Sequence, residues 1–143
     1  MAVFPDVETA QKCLGGMFDM IAADETLGPR FANLGTKVRF EFVKPEFAIT
    51  VDMTTPDAQG NPITVIKGEG DVEPDAVLKF DSDFAHKFFQ GKANVMLGVM
   101  KRNIVVVKGN VDEIEKIIPA MKSAFAKYPA MLEQLGCGDL IGK

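Results

Sequence analysis

Residues 38–53 alternate apolar and polar side chains with a period of two. Val38, Phe40 and Phe42 interleave with Arg39 and Glu41, and Phe47, Ile49, Val51 and Met53 interleave with Ala48, Thr50 and Asp52. Successive side chains of a strand point to opposite faces, so this pattern predicts two strands that each bury one face. Pro45 between them predicts a break or bulge, because proline cannot donate to a ladder. Upstream the period is helical. Asp6 is a good N-cap, and Val7, Ala10, Leu14, Met17, Phe18 and Ile21 follow at helical spacing. A second short helix is expected over about residues 25–33, with Gly35 closing it.

The same reading continues downstream. Residues 56–62 form a turn, 63–68 a third strand, 69–75 a polar loop and 76–81 a fourth strand. Ser82 is expected to cap a short helix whose apolar stripe is Phe84, Ala85, Phe88 and Phe89, leaving His86, Lys87 and Gln90 on the wet face. Met96, Leu97, Val99 and Met100 beside Gly98 read as an apolar linker, and IVVVKG (104–109) as a fifth, β-branched strand. Asn110 and Glu113 fit a capping-box-like start, with Val111, Ile114, Ile117, Ile118 and Met121 as the helix face. Pro119 and Pro129 are expected to divide the tail into segments. The implied class is α+β: a five-stranded sheet with helices packed on one side.

At 143 residues the chain fits a single domain, 1–143. It contains eleven Phe and eight Met but no Trp, which suits either a plain core or a cavity that fits flexible guests. A net charge of −4 argues against a nucleic-acid partner. Charge is unevenly spread: residues 79–108 hold six Lys or Arg against Asp81 and Asp83. Cys13 and Cys137 make no CxxC pair, and a disulfide would need the two ends of the chain to meet, so none is expected. With no secretory signal and no run of the ~18 apolar residues that span a bilayer, a cytoplasmic location is expected.

Catalytic machinery is scarce. His86 reads as an exposed surface residue, no Gly-x-Ser-x-Gly elbow is present, and neither cysteine has a second histidine to pair with. No EF-hand pattern appears, and the GCGDLIGK tail lacks the helix that a phosphate loop needs. The expectation is therefore no catalytic residue, no metal and no cofactor. Two other readings stay open. One is an enzyme or accessory subunit for a hydrophobic substrate, with His86 or a carboxylate pair as acid–base group. The other is an interaction module whose cavity is filled by its own side chains.

The segments PDAVLKFDSD, FAHKFFQGK, ANVMLGVM, KRNIVVV and KGN follow one another between residues 74 and 110. Together they resemble the lipid-binding domain of the sterol carrier protein type-two family: a strand, an Asp, an aromatic helix ending in Gly-Lys, an apolar linker, a strand and a closing Gly-Asn. VRFEFV and FAITVDM are similar in placement to that family's first hairpin, so the resemblance covers roughly residues 36–125. Arg102-Asn103 stands where the family has a second Gly-Lys, and Ile141-Gly142-Lys143 replaces its peroxisomal tripeptide, as in a stand-alone prokaryote-like version.

The resemblance implies a soluble, non-enzymatic carrier whose sheet and helices enclose an apolar tunnel. The ligand would be a fatty acid, fatty acyl-CoA, phospholipid or sterol-like lipid. Phe40, Phe42, Ile49, Val51, Phe84, Phe88, Met96, Met100, Val105, Met121 and Phe125 are the expected lining. N-terminal helices at about 6–33 and strands with a short helix at about 36–109 would precede a helical lid at about 110–136, with Phe125, Met131 and Leu132. Lys92, Lys101 and Arg102 are candidates for an anionic headgroup, with transient contact to an anionic membrane surface. The oligomeric state is left open.

Overall fold

The two alternating segments pair as an antiparallel hairpin of β1 (Lys37–Val43) and β2 (Phe47–Asp52), with Val38 opposite Val51, Phe40 opposite Ile49 and Phe42 opposite Phe47. The computed structural model describes residues 3–68, 70–109 and 111–143. The capping arrangement expected at Asn110 and Glu113, and the side chains of Val111 and Ile114, lie outside what is described. The break expected at Pro45 is the hairpin turn itself: Pro45 sits in it after a cis peptide bond, and Lys44 before it takes a left-handed φ of 58°.

β3 (Thr64–Lys67) extends the hairpin antiparallel to β2, and β4 (Ala76–Asp81) lies parallel to β1 on its other side. β5 (Ile104–Lys108) pairs antiparallel with β4, which gives the order β3-β2-β1-β4-β5. The expected five-stranded α+β architecture is present. Its inner face carries Val38, Phe40, Phe42, Ile49, Val51, Leu78, Phe80 and Ile104, all buried in one hydrophobic core.

Helices cover that face. α1 (Val7–Ala23) starts at Asp6, whose side chain accepts from the Thr9 amide at 2.7 Å, and buries Leu14, Met17, Phe18 and Ile21. α2 (Leu27–Ala32) is short. In α3 (Ser82–Phe89) the cap is Asp81, not Ser82: the Phe84 amide donates to the Asp81 carboxylate at 3.1 Å. Ser82 is already helical, and its hydroxyl donates to the Pro45 carbonyl, tying α3 to the hairpin turn. Gly91 ends the helix with a φ of 76°, a conformation only glycine adopts without strain, and the Lys92 amide returns to the Lys87 carbonyl.

The segment expected to be a linker is a helix, α4 (Val95–Met100), capped by the Asn94 side chain on the Leu97 amide. α5 (Val111–Lys122) runs through Pro119, which was expected to divide it. Pro119 lies on the exposed side of the helix, in its last turn; it forfeits the bond to the carbonyl four residues back, and the helix ends three residues later. Pro129 does start a helix, α6 (Tyr128–Gln134), after a 3-10 turn over Phe125–Lys127. α6 packs back on α1, so Cys13 and Cys137, expected apart, interact through their thiols while remaining free. Burial, then the neighbouring thiol, pushes Cys13 up to about 12.

Candidate functional site

A row of aromatic rings runs from the middle of the sheet to the surface. Phe18 packs on Phe40 with ring centroids 4.8 Å apart, Phe40 on Phe80 at 6.0 Å, Phe80 on Phe88 at 6.2 Å, and Phe88 on Phe125 edge-on at 5.0 Å. The row ends at a groove of about 520 Å³ lined by Phe88, Gly91, Ala93, Asn94, Val95, Met96, Lys122 and Phe125. α3 supplies its floor, the α3–α4 connection one wall, and the end of α5 with the following turn the other. A Cβ on Gly91 would sit in ordinary contact with the Phe125 ring, 3.8 Å away, so what calls for glycine here is the positive φ and not the space. The chemistry offered is an aromatic floor, a short apolar wall and one ammonium group, Lys122.

Of the expected lining, the groove unites Phe88, Met96 and Phe125. Phe84 lies beside it, stacked on Phe88 at 6.3 Å beneath α4. Phe40, Phe42, Ile49, Val51 and Met121 are buried outside this groove, among side chains of their own core; Phe42 also borders a separate hollow of about 320 Å³ with Glu41, Glu46, Phe47 and Lys79. Met100 projects from α4 into solvent.

Lys101, Arg102 and Val105 belong to a different groove, of about 490 Å³, with Val43, Lys44, Lys79, Asp81, Asn103 and Val107. This one lies on the helix-free face of the sheet. Ile104 and Val106 turn inward, so Val105, paired with Lys79, must turn outward. Four consecutive apolar residues carry no alternation, so nothing in the sequence distinguishes the two faces of β5. Sequence reasoning missed Gly91, Ala93, Asn94, Val95 and Lys122 in the first groove and Val43, Lys44, Lys79, Asp81, Asn103 and Val107 in the second. Only Lys79 had a signal, its parity within β4.

His86 corrects the expectation of a wet histidine most sharply. It is 0% exposed. Its Nε2 lies 2.8 Å from the Leu140 carbonyl oxygen and its Nδ1 2.8 Å from the Tyr128 hydroxyl. A carbonyl only accepts, so neutral His86 donates from Nε2 and its Nδ1 accepts from Tyr128. Phe4 closes the site edge-on, 5.3 Å away. Burial lowers the His86 pKa, and burial raises that of Tyr128. The C-terminal segment that covers His86 lies more than forty positions downstream, beyond the reach of a local periodicity argument. His86 lines neither groove. Among the described residues no cluster of three or more His, Cys, Asp or Glu side chains could hold a metal ion.

No family model and no curated protein matches the chain by sequence. Solved structures do match it in fold. Sterol carrier protein 2 from Yarrowia lipolytica, in its apo form, superposes with a TM-score of 0.61 at 21% identity, over 87% of this chain and 98% of that one. The sterol carrier protein domain 2 of Helicoverpa armigera gives 0.60 at 14% identity, over 80% and 87%. A ubiquinone synthesis protein, UbiJ-SCP2, gives 0.55 at 11% identity, over 80% and 94%. The fold is therefore that of sterol carrier protein 2 structures, as the sequence resemblance implied.

Proposed function

We propose that the chain is a lipid-binding and transfer protein that holds an acyl chain or similarly shaped apolar ligand between α3, α4 and α5, without covalent chemistry. The observation that carries this reading is the groove at Phe88 and Phe125, connected ring by ring to the sheet core. Its volume of about 520 Å³ is within the range of small-molecule sites, roughly 300–1,000 Å³. Each buried CH₂ contributes ~0.8 kcal/mol, so about fifteen contribute ~12 kcal/mol before the several kcal/mol lost in ordering the guest. Apolar walls suffice for micromolar binding or tighter.

A guest longer than the groove reaches Phe40, Phe42, Ile49, Val51 and Met121 by turning Phe88 and Phe125 aside, which opens the expected tunnel. The Lys122–Phe125 corner is the part of the tail that moves as a lid. The rest is held by Tyr128 on His86 and by the Gly142 amide on the Gln90 side chain. Lys122 is the cation placed to meet a fatty-acid carboxylate. Titration with a polyene fatty acid whose emission rises out of water tests the reading. Val95→Asp, which puts a carboxylate in the wall, is expected to weaken binding at least roughly tenfold with the fold intact. A protein that is empty by native mass spectrometry and takes up no fatty acid contradicts it.

The ubiquinone synthesis protein among the structural neighbours favours a second reading, in which the chain presents its apolar ligand to an enzyme. Movement of the bound fatty acid between donor and acceptor vesicles separates the two. The carrier reading requires it, and the accessory reading does not.

A further inference from the structure

Six large apolar residues are exposed among the described ones, and four of them sit in α4: Met96 at 74%, Leu97 at 50%, Val99 at 49% and Met100 at 74%. A fifth, Val107, is on the adjoining edge strand β5. Four of α4's six residues thus expose large apolar side chains, and its one buried residue is a glycine. Such a surface costs free energy in water unless something covers it.

The surroundings say what covers it. No carboxylate occurs in the sequence between Asp83 and Asp112, although the chain as a whole is acidic. Directly after α4 come Lys101 and Arg102, both exposed, and with Lys44 and Lys79 they line the groove on the open face of the sheet. Four cations there face one carboxylate, Asp81, which is already engaged as the cap of α3; of the four, Lys79 also borders the neighbouring hollow that holds Glu41 and Glu46. Among the described residues none of the four takes part in an ion pair. Lys44 and Arg102 are also, among the described residues, the two non-glycine ones with left-handed backbone, φ 58° and 62°, and both line this groove. Backbone of that kind concentrates at functional sites. The apolar surface is also continuous with the ligand groove, since Val95 and Met96 line it.

We infer that α4 and the end of β5 form a docking surface for an anionic lipid bilayer. Met96, Leu97, Val99 and Met100 enter the boundary between headgroups and acyl chains while Lys44, Lys79, Lys101 and Arg102 meet lipid phosphates. Six residues are far too few to cross a bilayer, and among the described residues no helix is long and apolar enough to do so, so the element lies in the interface. A protein partner is less well matched: the surface has methionine and valine with cations, and no aromatic anchor.

Docking is separable from lipid uptake. The experiment is co-sedimentation of the full chain with vesicles of phosphatidylcholine alone and of phosphatidylcholine with about a third phosphatidylglycerol, beside the fatty-acid titration on the same samples. The chain is expected to bind the anionic vesicles and to release in high salt. Lys101→Gln with Arg102→Gln should lower partitioning roughly thirtyfold, at ~1 kcal/mol per cation. Leu97→Asp with Met100→Asp should abolish it, and all four side chains are exposed, so melting by circular dichroism should be unchanged. Equal binding to both vesicles, no binding to either, or variants that bind like the parent would overturn the inference. A dimer in ultracentrifugation that Met100→Asp dissolves would also overturn it, by assigning the surface to a second copy. A chain that docks but takes up no fatty acid keeps this inference and removes the carrier reading.

Discussion

At His86 two segments distant in sequence meet: α3 supplies the imidazole, and the chain's end supplies the Tyr128 hydroxyl and the Leu140 carbonyl. Removing the ring would leave both partners buried without a match, at about 1–3 kcal/mol each. His86→Ala should therefore lower stability to urea far more than it changes the groove, whereas a catalytic histidine would leave stability nearly untouched. The site also fixes the sign of a pH effect. Burial is the main cause that holds His86 below its ordinary 6.5, reinforced by Lys92 and opposed by the Leu140 hydrogen bond and Asp83. The unfolded chain then binds the extra proton first as pH falls through 6.5. Stability supplied by neutral His86 is fully present above that pH and is lost as pH drops toward the lower folded-state value. The urea midpoint should fall between pH 7 and about 5, and His86→Gln should flatten that slope. A parent protein with no slope in this window would contradict the assignment.

At the scale of an element, α4 rests on Phe84 through Gly98. A Cβ at Gly98 would overlap the Phe84 ring, and that ring is stacked on Phe88, the floor of the groove. Gly98→Ala should push α4 outward, costing about 1–3 kcal/mol in thermal melts and changing fatty-acid affinity with it. If melting and affinity both match the parent, α4 does not form the wall described. This element shows where sequence reading stops. VMLGVM is six residues with almost no polar contrast, so neither helix nor loop is favoured by periodicity, and the Asn94 cap is a single short-range signal. The hairpin is the opposite case. Arg39, Glu41, Thr50 and Asp52 mark the outward face of each strand, and the register that pairs Phe40 with Ile49 follows from them. The Phe84–Phe88 stripe was equally legible, because α3 has a polar face to contrast with it. The burial of His86 was not, since the covering residues come from the far end of the chain.

For the whole molecule, the consequence is a division of roles between two faces. On the helix side, the Phe row leads from the sheet core to a groove with Lys122 at its edge; on the open side, Lys44, Lys79, Lys101 and Arg102 gather around Val105 and Val107. Sequence reading merged these into one pocket because a linear pattern does not tell which side of β5 a valine takes. In the proposed carrier an acyl chain enters at Phe88 and Phe125. Methyl-labelled methionine offers the most direct measurement, by nuclear magnetic resonance, as a long-chain fatty acid is added. The Met96 methyl, in the groove wall, should shift first and show contacts to the acyl chain. Met121 should follow as Phe88 turns aside, while Met20 and Met53 stay in place. Saturating fatty acid that moves no methyl, or that moves Met20 or Met53 and leaves Met96 unchanged, would contradict entry at this groove.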